Sequence, residues 1–422
     1  MSTSLTRNRD FRRLWVSQTL SLFGSGASNL AYPLLVLAMT GSAVHAGIVG
    51  TVSGAAAVGC QLPGGGLVDR WNRRRLMLGC QLIRFAAMAA IAAAIMAGDA
   101  TLWMIIIAAT VTAAAGSLFG SAEQAALRHI VTVEQLPQAV SLNEARSHAA
   151  DLAGPAAGGA MFGAARWLPF GVDALSYAVS VVAVALIRRP LQETRDRVRT
   201  KLTAEIGEGI KVVFRDPFLR AVAFIAPPLN VAISCVMFVL IVVLRDQGAP
   251  SAAIGSAETA IALGGLAGAL LTPFFRRRLR DRTLVVTLCW AMTALVAAMA
   301  GLVGTYAVIV PLAFALLLAP ASNATIFGYL FATTPDRLQG RVVSTLTLFA
   351  GGIQPIAPVA GGVMVQQWGG RVAFIGCAAV LAVGALAATF SNGIRQMRPL
   401  TELKDEAESS KETIPRTGGA DR

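Results

Sequence analysis

The chain has 422 residues, of which 55% are hydrophobic and only 14% are charged. Soluble domains carry about 25% charged residues, so this composition excludes a mostly soluble protein and indicates an integral membrane protein. The formal net charge is +13, but the basic residues fall in short segments between apolar runs, where they set membrane orientation and predict no nucleic-acid partner.

Apolar runs long enough to cross a lipid bilayer, which takes about 20 residues, occur along the whole chain. Twelve are predicted, so we expect an all-α integral membrane protein with twelve transmembrane helices. The predicted spans are 14–39, 45–68, 76–97, 101–124, 139–163, 168–187, 218–244, 252–275, 283–303, 305–330, 340–366 and 371–394. The first is too long for the apolar core of a cleaved signal peptide, about 7–15 residues, so we expect it to be retained.

One charged stretch, 188–217, divides the spans into six and six. It is predicted to be a cytoplasmic linker with a short amphipathic helix, because Ile206, Ile210 and Val213 share one helical face. The two six-helix halves would then be residues 1–187 and 218–398. The polar tail, 399–422, is predicted to be disordered and cytoplasmic.

Basic residues are distributed unevenly between the two sides of the membrane. If the N-terminus is cytoplasmic, the outer loops hold only Arg166, Arg245 and Arg371. Lysine and arginine resist translocation, so both termini are predicted to lie in the cytoplasm, at a plasma or inner membrane.

Motifs of common catalytic sites are absent from the sequence. It contains no G-x-x-x-x-G-K-[ST], no G-x-S-x-G, no H-E-x-x-H and no His/Cys cluster with metal-ligand spacing. ATP is therefore not expected to act directly, and we predict no metal, no cofactor and no enzymatic activity.

Two motifs stand out against the apolar background. The first begins at the end of the second span, continues into the loop after it, and consists of Gly65, Leu67, Asp69, Arg70, Arg73 and Arg74. The second lies in span five and consists of Gly154, Pro155, Gly158 and Gly159. Span eleven repeats the second motif as Ala357-Pro358-x-x-Gly361-Gly362, and parallel six-span repeats are typical of transporters that hold substrate between two halves.

These motifs resemble those of the major facilitator superfamily. The stretch from Gly65 to Arg74 is similar to that family's loop between spans two and three, and 154–159 is similar to the span-five motif of its drug–proton antiporters. Residues 173–177 and 208–217 resemble macrolide-efflux and enterobactin-exporter-like members. The resemblance covers about residues 7–398 and implies a twelve-helix fold, alternating access and proton-coupled export of a small organic molecule.

The resemblance also assigns roles to particular residues. Asp69 would gate the cytoplasmic side by lying near Gly340 and Arg341 at the start of span eleven, since a carboxylate is favoured at a helix N-terminus. Arg70 and Arg73 would join pairs between helices. The alternative is that these charges only set topology. One departure is in span one, where related chains often carry an acid and this chain reads Gly24-Ser25-Gly26.

Asp151 is the predicted proton carrier. It lies roughly 18 Å into span five at about 1.5 Å per residue, near the middle of a hydrocarbon core of about 30 Å. Carboxylates at that depth usually face an interior cavity and serve function. The alternative is that Asp151 pairs structurally with an arginine such as Arg84.

The other candidates for the proton and substrate pathway are polar residues inside predicted spans. They are Ser21, Ser25, Ser28, Tyr32, Arg84, Asn143, Asn230, Glu258, Asn323 and Gln354. Hydrogen bonding between helices is the alternative for the hydroxyls and amides. For Arg84 the alternative is a side chain that reaches back to the membrane surface.

The sequence therefore predicts a secondary active transporter, most simply a proton-coupled exporter of a small hydrophobic or amphipathic compound. Its expected partners are that substrate, protons and the lipid bilayer, and it is expected to be a monomer. Proton-coupled uptake and a non-transporting membrane sensor or scaffold are the alternatives.

Overall fold

The protein is helical throughout the part that its computed structural model describes, which is residues 5, 8–187, 191–192 and 202–397. The side chains of residues 62–63, 65, 69, 202–206 and 336–337 lie outside that description, as do the predicted tail and much of the predicted linker. The described residues contain no β-strand, so the predicted all-α class is confirmed.

Six long helices form the first half of the chain. They are α1 (Arg9–Thr40), α2 (Ala43–Arg70), α3 (Arg73–Ala97), α4 (Leu102–Ile130), α5 (Leu136–Ala164) and α6 (Leu168–Ala185). Their ends follow from local chemistry. The side chains of Asn8 and Asn72 accept hydrogen bonds from backbone N–H groups in the first turns of α1 and α3. Gly41 and Gly98 end these helices with φ of 65° and 80°.

Nine helices follow in the part of the chain that the structure describes. They are α7 (Leu202–Arg215), α8 (Pro217–Asp246), α9 (Ser251–Arg278), α10 (Asp281–Gly301), α11 (Ile309–Leu317), α12 (Ala319–Thr333), α13 (Asp336–Gly351), α14 (Ala357–Phe390) and α15 (Asn392–Arg395).

The predicted spans ten and eleven are broken in the structure. Span ten is α11 and α12, which meet at Leu318. Span eleven is α13 and the first part of α14, separated by residues 352–356. Pro320 and Pro355 stand at the two breaks, and proline cannot donate the backbone hydrogen bond that a continuous helix needs. Spans eleven and twelve are joined within α14 at Gly369, where φ is 79°.

Ten described helical segments are long and apolar enough to cross a membrane. Helix α5 is not among them, because Glu144, Asp151 and several glycines lower its hydropathy, and the last segment, 338–390, is counted as one. Adding α5 and dividing that segment at Gly369 gives twelve, which agrees with the predicted number.

The two sets of helices pack in corresponding ways. In the first half, α1 packs on α5 and α6, α2 on α4, and α3 on α4 and α6. In the second half, α8 and α10 pack on α14, and α9 packs on α11 and α12. Contacts between the halves are made mainly by α5 with α9 and by α2 with α14.

These contacts between halves lie at one end of the bundle, which we call the closed end. The opposite end, where Arg70 ends α2, is called the arginine end. At the closed end Gly159 of α5 packs on the backbone of Ser251 in α9, and Gly362 of α14 packs on the backbone of Ala43 in α2. Side chains larger than hydrogen do not fit at either glycine. We call this set of contacts the seam.

Proline carbonyls complete the seam in the same repeated manner. The carbonyl oxygen of Pro155 lies against Gly255 of α9, and that of Pro358 lies against Gly47 of α2. A Cβ atom at Gly47 would be 2.5 Å from the Pro358 oxygen. Each contact involves the fifth residue of its helix, α9 or α2, so the sequence repeat corresponds to a repeat in three dimensions.

The glycine motif of α5 thus contacts two different partners. Gly154 and Gly158 pack on α1 in their own half, where a Cβ atom at Gly158 would be 2.7 Å from the Cα atom of Ala27. Gly159 contacts the other half. Close packing between the halves is therefore made by only part of the motif.

We expect Gly159→Val to prevent the seam from forming, because its side chain would overlap the backbone of Ser251. Gly163→Val is the matched control in the same helix, since a Cβ atom there has nothing within 4 Å. The Oγ of Ser42 donates to Gln366 Oε1 across the seam at 2.8 Å, so cysteines at these two positions report closure. The disulfide should form in the control and fail in Gly159→Val. Equal cross-linking in both would contradict the role of Gly159.

Candidate functional site

A buried carboxylate lies at the centre of the first half. Asp173 of α6 is 0% exposed. It accepts hydrogen bonds from Ser28 Oγ of α1 at 2.6 Å and from the Tyr177 hydroxyl at 3.1 Å. Removing a carboxylate from water is costly unless donors replace the lost hydration. These hydroxyls supply the replacement.

Arg84 of α3 reaches the same cluster from the other side. Its Nη2 donates to the Tyr177 hydroxyl at 2.7 Å and to Ser25 Oγ at 3.1 Å, and its Nη1 donates to Gln81 Oε1 at 3.2 Å. The guanidinium carbon also lies 4.0 Å from the centroid of the Tyr177 ring, a cation–π geometry. The Tyr177 hydroxyl therefore joins Arg84 to Asp173, and Arg84 points into the half rather than to the membrane surface.

Two buried glutamines extend this network toward the arginine end. The Nε2 atoms of Gln18 and Gln81 both lie 2.7 Å from Ser180 Oγ, and all three residues are buried. Helices α1, α3 and α6 are thus linked by hydrogen bonds at two levels.

Small residues in α1 allow this close approach. A Cβ atom at Gly24 would be 2.8 Å from Asp173 Oδ1, and one at Gly26 would be 3.2 Å from the Cα atom of Gly154. The stretch where related chains often carry an acid in span one therefore lies against the carboxylate of Asp173. Little space remains for a side chain at Gly24.

The four pathway candidates in α1 are Ser21, Ser25, Ser28 and Tyr32, and they lie against other helices. Ser25 and Ser28 bond to the α6 cluster, as described, and Ser21 is buried beside them. The Tyr32 hydroxyl points to Met88 Sδ at 3.7 Å, and its ring packs edge-on against Phe170 at 5.2 Å between centroids. This placement corresponds to the alternative of hydrogen bonding between helices.

Two other carboxylates lie beside the seam. The Oγ1 of Thr259 in α9 donates to the carbonyl of Leu152 in α5 at 2.7 Å. Asp151 immediately precedes Leu152, and Glu258 immediately precedes Thr259. Gly154 and Gly158 face α1, whereas Gly159 faces α9. Asp151 lies on the face of α5 between these two directions, about one turn from Gly154 toward the arginine end.

The exposure of the two carboxylates agrees with this position. Asp151 is exposed and Glu258 is half-buried. In the described residues Asp151 has no hydrogen bond to Arg84, because the guanidinium of Arg84 contacts Ser25, Gln81 and Tyr177 instead. Asn143 is half-buried in α5, about two turns from Asp151.

The remaining amides lie in the second half. Asn230 Nδ2 donates to the carbonyl of Ala350 at 3.2 Å, and Gln354 Nε2 donates to Ser234 Oγ at 2.6 Å. Both join α8 to the break in span eleven. Asn323 is exposed on α12.

The arginines of the motif from Gly65 to Arg74 connect three helices at the arginine end of the first half. Arg73 Nη1 lies 2.8 Å from His129 Nε2 and 3.2 Å from the carbonyl of Leu191. Arg74 donates to the carbonyl of Ala185, where α6 ends. Arginines near the last carbonyls of a helix also interact favourably with its dipole. The start of α3 is thereby fixed to the ends of α4 and α6.

The rest of the motif is less informative. Gly65 and Leu67 lie in the last turns of α2, and Arg70 is exposed. The side chain of Asp69 lies outside the described part of the structure. The expected partner region is occupied by α7, where Glu208 forms an ion pair with Arg341 of α13.

Sequence reasoning did not select the Asp173 network as a site. The available signal was that Asp173 is the only charged residue in α6, and an intramembrane carboxylate is by default a functional candidate. The partners Gln18, Gln81 and Ser180 carry no comparable signal. Among the described residues, no group of three or more His, Cys, Asp or Glu side chains could hold a metal ion.

Comparison with known proteins gives sequence relatives over most of the chain. A family model described as transmembrane secretion effector matches residues 2–415. The multidrug efflux pump Tap of Mycolicibacterium fortuitum is 26% identical over 398 residues, covering 89% of this chain and 93% of that protein. Macrolide efflux protein A of Streptococcus pyogenes is 25% identical over 296 residues, covering 66% and 69%.

Solved structures of transporters share the fold. A bacterial homolog of the human lysosomal transporter Spinster, in an inward-facing and unoccupied conformation, matches with a TM-score of 0.70 at 14% identity, covering 94% of this chain and 98% of that one. A D-xylose–proton symporter matches with a TM-score of 0.63 at 14% identity, covering 93% and 98%. These likenesses confirm the expected fold.

We expect Tyr177→Phe to destabilise the protein, because it removes the hydroxyl that both accepts from Arg84 and donates to Asp173. Leaving buried polar groups short of a partner costs about 1–3 kcal/mol. Tyr306→Phe is the control, since Tyr306 is 55% exposed. Thermal unfolding of the purified proteins in detergent measures the effect. A Tyr177→Phe variant as stable as the control would show that the network contributes little.

Proposed function

Because the chain belongs to the transmembrane secretion effector family and has the major facilitator fold, we propose that it exports a small hydrophobic or amphipathic organic compound. The chain is a multi-span membrane transporter and not an enzyme. Its relatives Tap and macrolide efflux protein A are named for multidrug and macrolide efflux. They support an organic compound of that kind as the substrate class.

The seam is the observation that carries this proposal. The two halves touch through backbone and small residues at two equivalent places, Gly159 on Ser251 and Gly362 on Ala43. Each half also has an apolar core of its own, whereas a third and larger core extends across both halves. Rocking of two such halves around a site near the membrane midplane is alternating access.

The orientation follows from charge. We place the arginine end in the cytoplasm, since lysine and arginine are enriched in cytoplasmic loops. Both termini are then cytoplasmic, at a plasma or inner membrane. The structure, closed at the opposite end, corresponds in this proposal to a state open to the cytoplasm. One chain contains both halves, so we propose that the monomer transports.

The gate of the arginine end is formed in the alternate state. We assign to Asp69 a contact with the start of α13 near Gly340 and Arg341, where a helix N-terminus favours a carboxylate. Arg341 is paired with Glu208 of α7 when the seam is closed. Closure of the arginine end then exchanges one carboxylate partner of Arg341 for another.

Protons drive export in this proposal, and Asp151 carries them. Asp151 is adjacent in sequence to Leu152, which accepts the hydrogen bond from Thr259. This supports the proposal that movement of the seam changes which side of the membrane Asp151 faces. An ionised carboxylate needs water or a cation, whereas a protonated one tolerates a closing interface. Protonation of Asp151 from outside would therefore permit the seam to close, and Asp151 would then release the proton to the inside. Glu258 is the second candidate on the facing helix.

Asp173 has a different role. It lies inside one half rather than beside the seam, and it has hydroxyl donors in the closed packing. Its surroundings do not depend on whether the halves touch. We therefore assign Asp173 to holding α1, α3 and α6 together.

Export is tested by substrate accumulation. Cells that lack the protein should accumulate more of a lipophilic drug than cells that express it, and a proton uncoupler should abolish the difference. Expression should also raise drug resistance, and the Asp69→Asn variant should lose that effect. Higher accumulation in expressing cells would indicate uptake, and no difference for any compound would indicate a sensor or scaffold.

The carrier is tested by comparing two variants that each remove one carboxylate without changing side-chain size. Asp151→Asn should insert normally, bind substrate and lose proton-driven efflux by at least about tenfold, since removing the coupling proton leaves only downhill movement. Asp173→Asn should instead lower the unfolding temperature. Full proton-driven efflux by Asp151→Asn would remove it from the mechanism and make Glu258→Gln the next variant to measure.

A further inference from the structure

A large basic cleft lies at the arginine end of the second half, away from the seam. It is formed by the end of α9, the start of α10 and the last turns of the described chain, and its volume is about 980 Å³. Its lining includes six arginines, Arg276, Arg277, Arg278, Arg280, Arg282 and Arg395.

The positive charge of this cleft is not balanced by its own lining. Asp281 is the one acidic residue among the described residues that line it. In the part of the chain that the structure describes, none of the six arginines takes part in an ion pair. All six are exposed. Guanidinium groups this close in sequence and space repel one another, and an anion in the cleft would relieve that repulsion.

Hydroxyl groups stand among the arginines. Thr283 and Thr287 of α10 and Thr389 of α14 line the same cleft. Arginine forks combined with hydroxyl donors match the oxygen atoms of a phosphate group.

An apolar surface adjoins the cleft on the membrane side. Leu270 and Phe274 of α9 are 76% and 54% exposed, and they lie six and two residues before Arg276. The guanidinium carbon of Arg278 lies 5.4 Å from the centroid of the Phe274 ring. A ligand that joins a phosphate to hydrocarbon chains would contact both surfaces at once.

We propose that this cleft binds the headgroup of an anionic phospholipid, with the acyl chains along α9. Basic pockets between transmembrane helices at the membrane surface are suited to such lipids. The same helix carries Glu258 and contributes Gly255 and Thr259 to the seam. A bound lipid therefore fixes one end of the helix whose other end forms the contact between halves.

The test measures thermal unfolding of the purified full-length chain in detergent during titration with lipid. Phosphatidylglycerol should raise the unfolding temperature, whereas phosphatidylcholine and inorganic phosphate should not. In Arg277→Gln/Arg280→Gln/Arg395→Gln the apparent affinity for phosphatidylglycerol should fall by about a hundredfold, because three headgroup contacts are lost. If this variant is not recovered, the single variants Arg277→Gln and Arg280→Gln provide the comparison.

The matched control removes the same charge from the same end of the other half. Arg9→Gln/Arg12→Gln/Arg128→Gln changes three exposed arginines outside the cleft and should keep the affinity of the wild-type chain. Equal loss in both triple variants would mean general attraction to an anionic surface and would overturn the proposal. So would a shift that inorganic phosphate reproduces.

The polar tail of the chain could occupy the cleft in place of a lipid, since most of the charged residues in 401–412 are acidic. Binding of phosphatidylglycerol only after the tail acids are changed to amides would assign the cleft to the tail and overturn the proposal. The residues to change in the full-length chain are Glu402, Asp405, Glu406, Glu408 and Glu412. Unchanged binding in that variant supports the lipid.

Discussion

The closest approach between the two halves is a contact of backbone with backbone, and the arrangement of the molecule depends on it. Gly159 against Ser251 and Gly362 against Ala43 leave no room for a side chain. In a membrane there is little hydrophobic gain from joining apolar helices, so close packing of small residues supplies much of the attraction. At these two places the contact is made by backbone atoms, which suits the interface that we propose opens and closes.

The polar side chains within the spans divide according to this interface. Inside the first half, hydrogen bonds join Arg84 to Tyr177 and Tyr177 to Asp173, and with Ser25 and Ser28 they link three helices. Asp151 and Glu258 instead lie beside the interface, where the proposed movement of the halves would change their surroundings. A carboxylate thus stabilises one half when it lies inside that half, as Asp173 does. Beside the interface, at Asp151 or Glu258, a carboxylate is proposed to couple movement of the halves to protons. The difference comes from position, because a carboxylate in hydrocarbon needs donors or water wherever it lies.

The fold could be derived from the sequence to a large extent, and the candidate site only in part. Apolar length predicted the helices, and the repeat of Pro155 and Gly159 in span eleven predicted two equivalent halves. The breaks in spans ten and eleven were not predicted, although Pro320 and Pro355 stand there, because membrane helices often accommodate proline when neighbours satisfy the backbone. The direction of Arg84 could not be derived, since a long side chain at that depth can reach the surface or a buried partner with equal ease.

The sequence by itself determined that the chain crosses the membrane many times and that spans five and eleven share a motif, and it predicts that the basic loops lie on one side. These properties depend on the cost of placing polar groups in hydrocarbon, which acts on each residue separately. Only the tertiary structure decided which intramembrane residues meet. Gly24 lies against Asp173 because α1 and α6 approach each other across 149 positions of chain, and helical periodicity gives the face of a helix but not its partner.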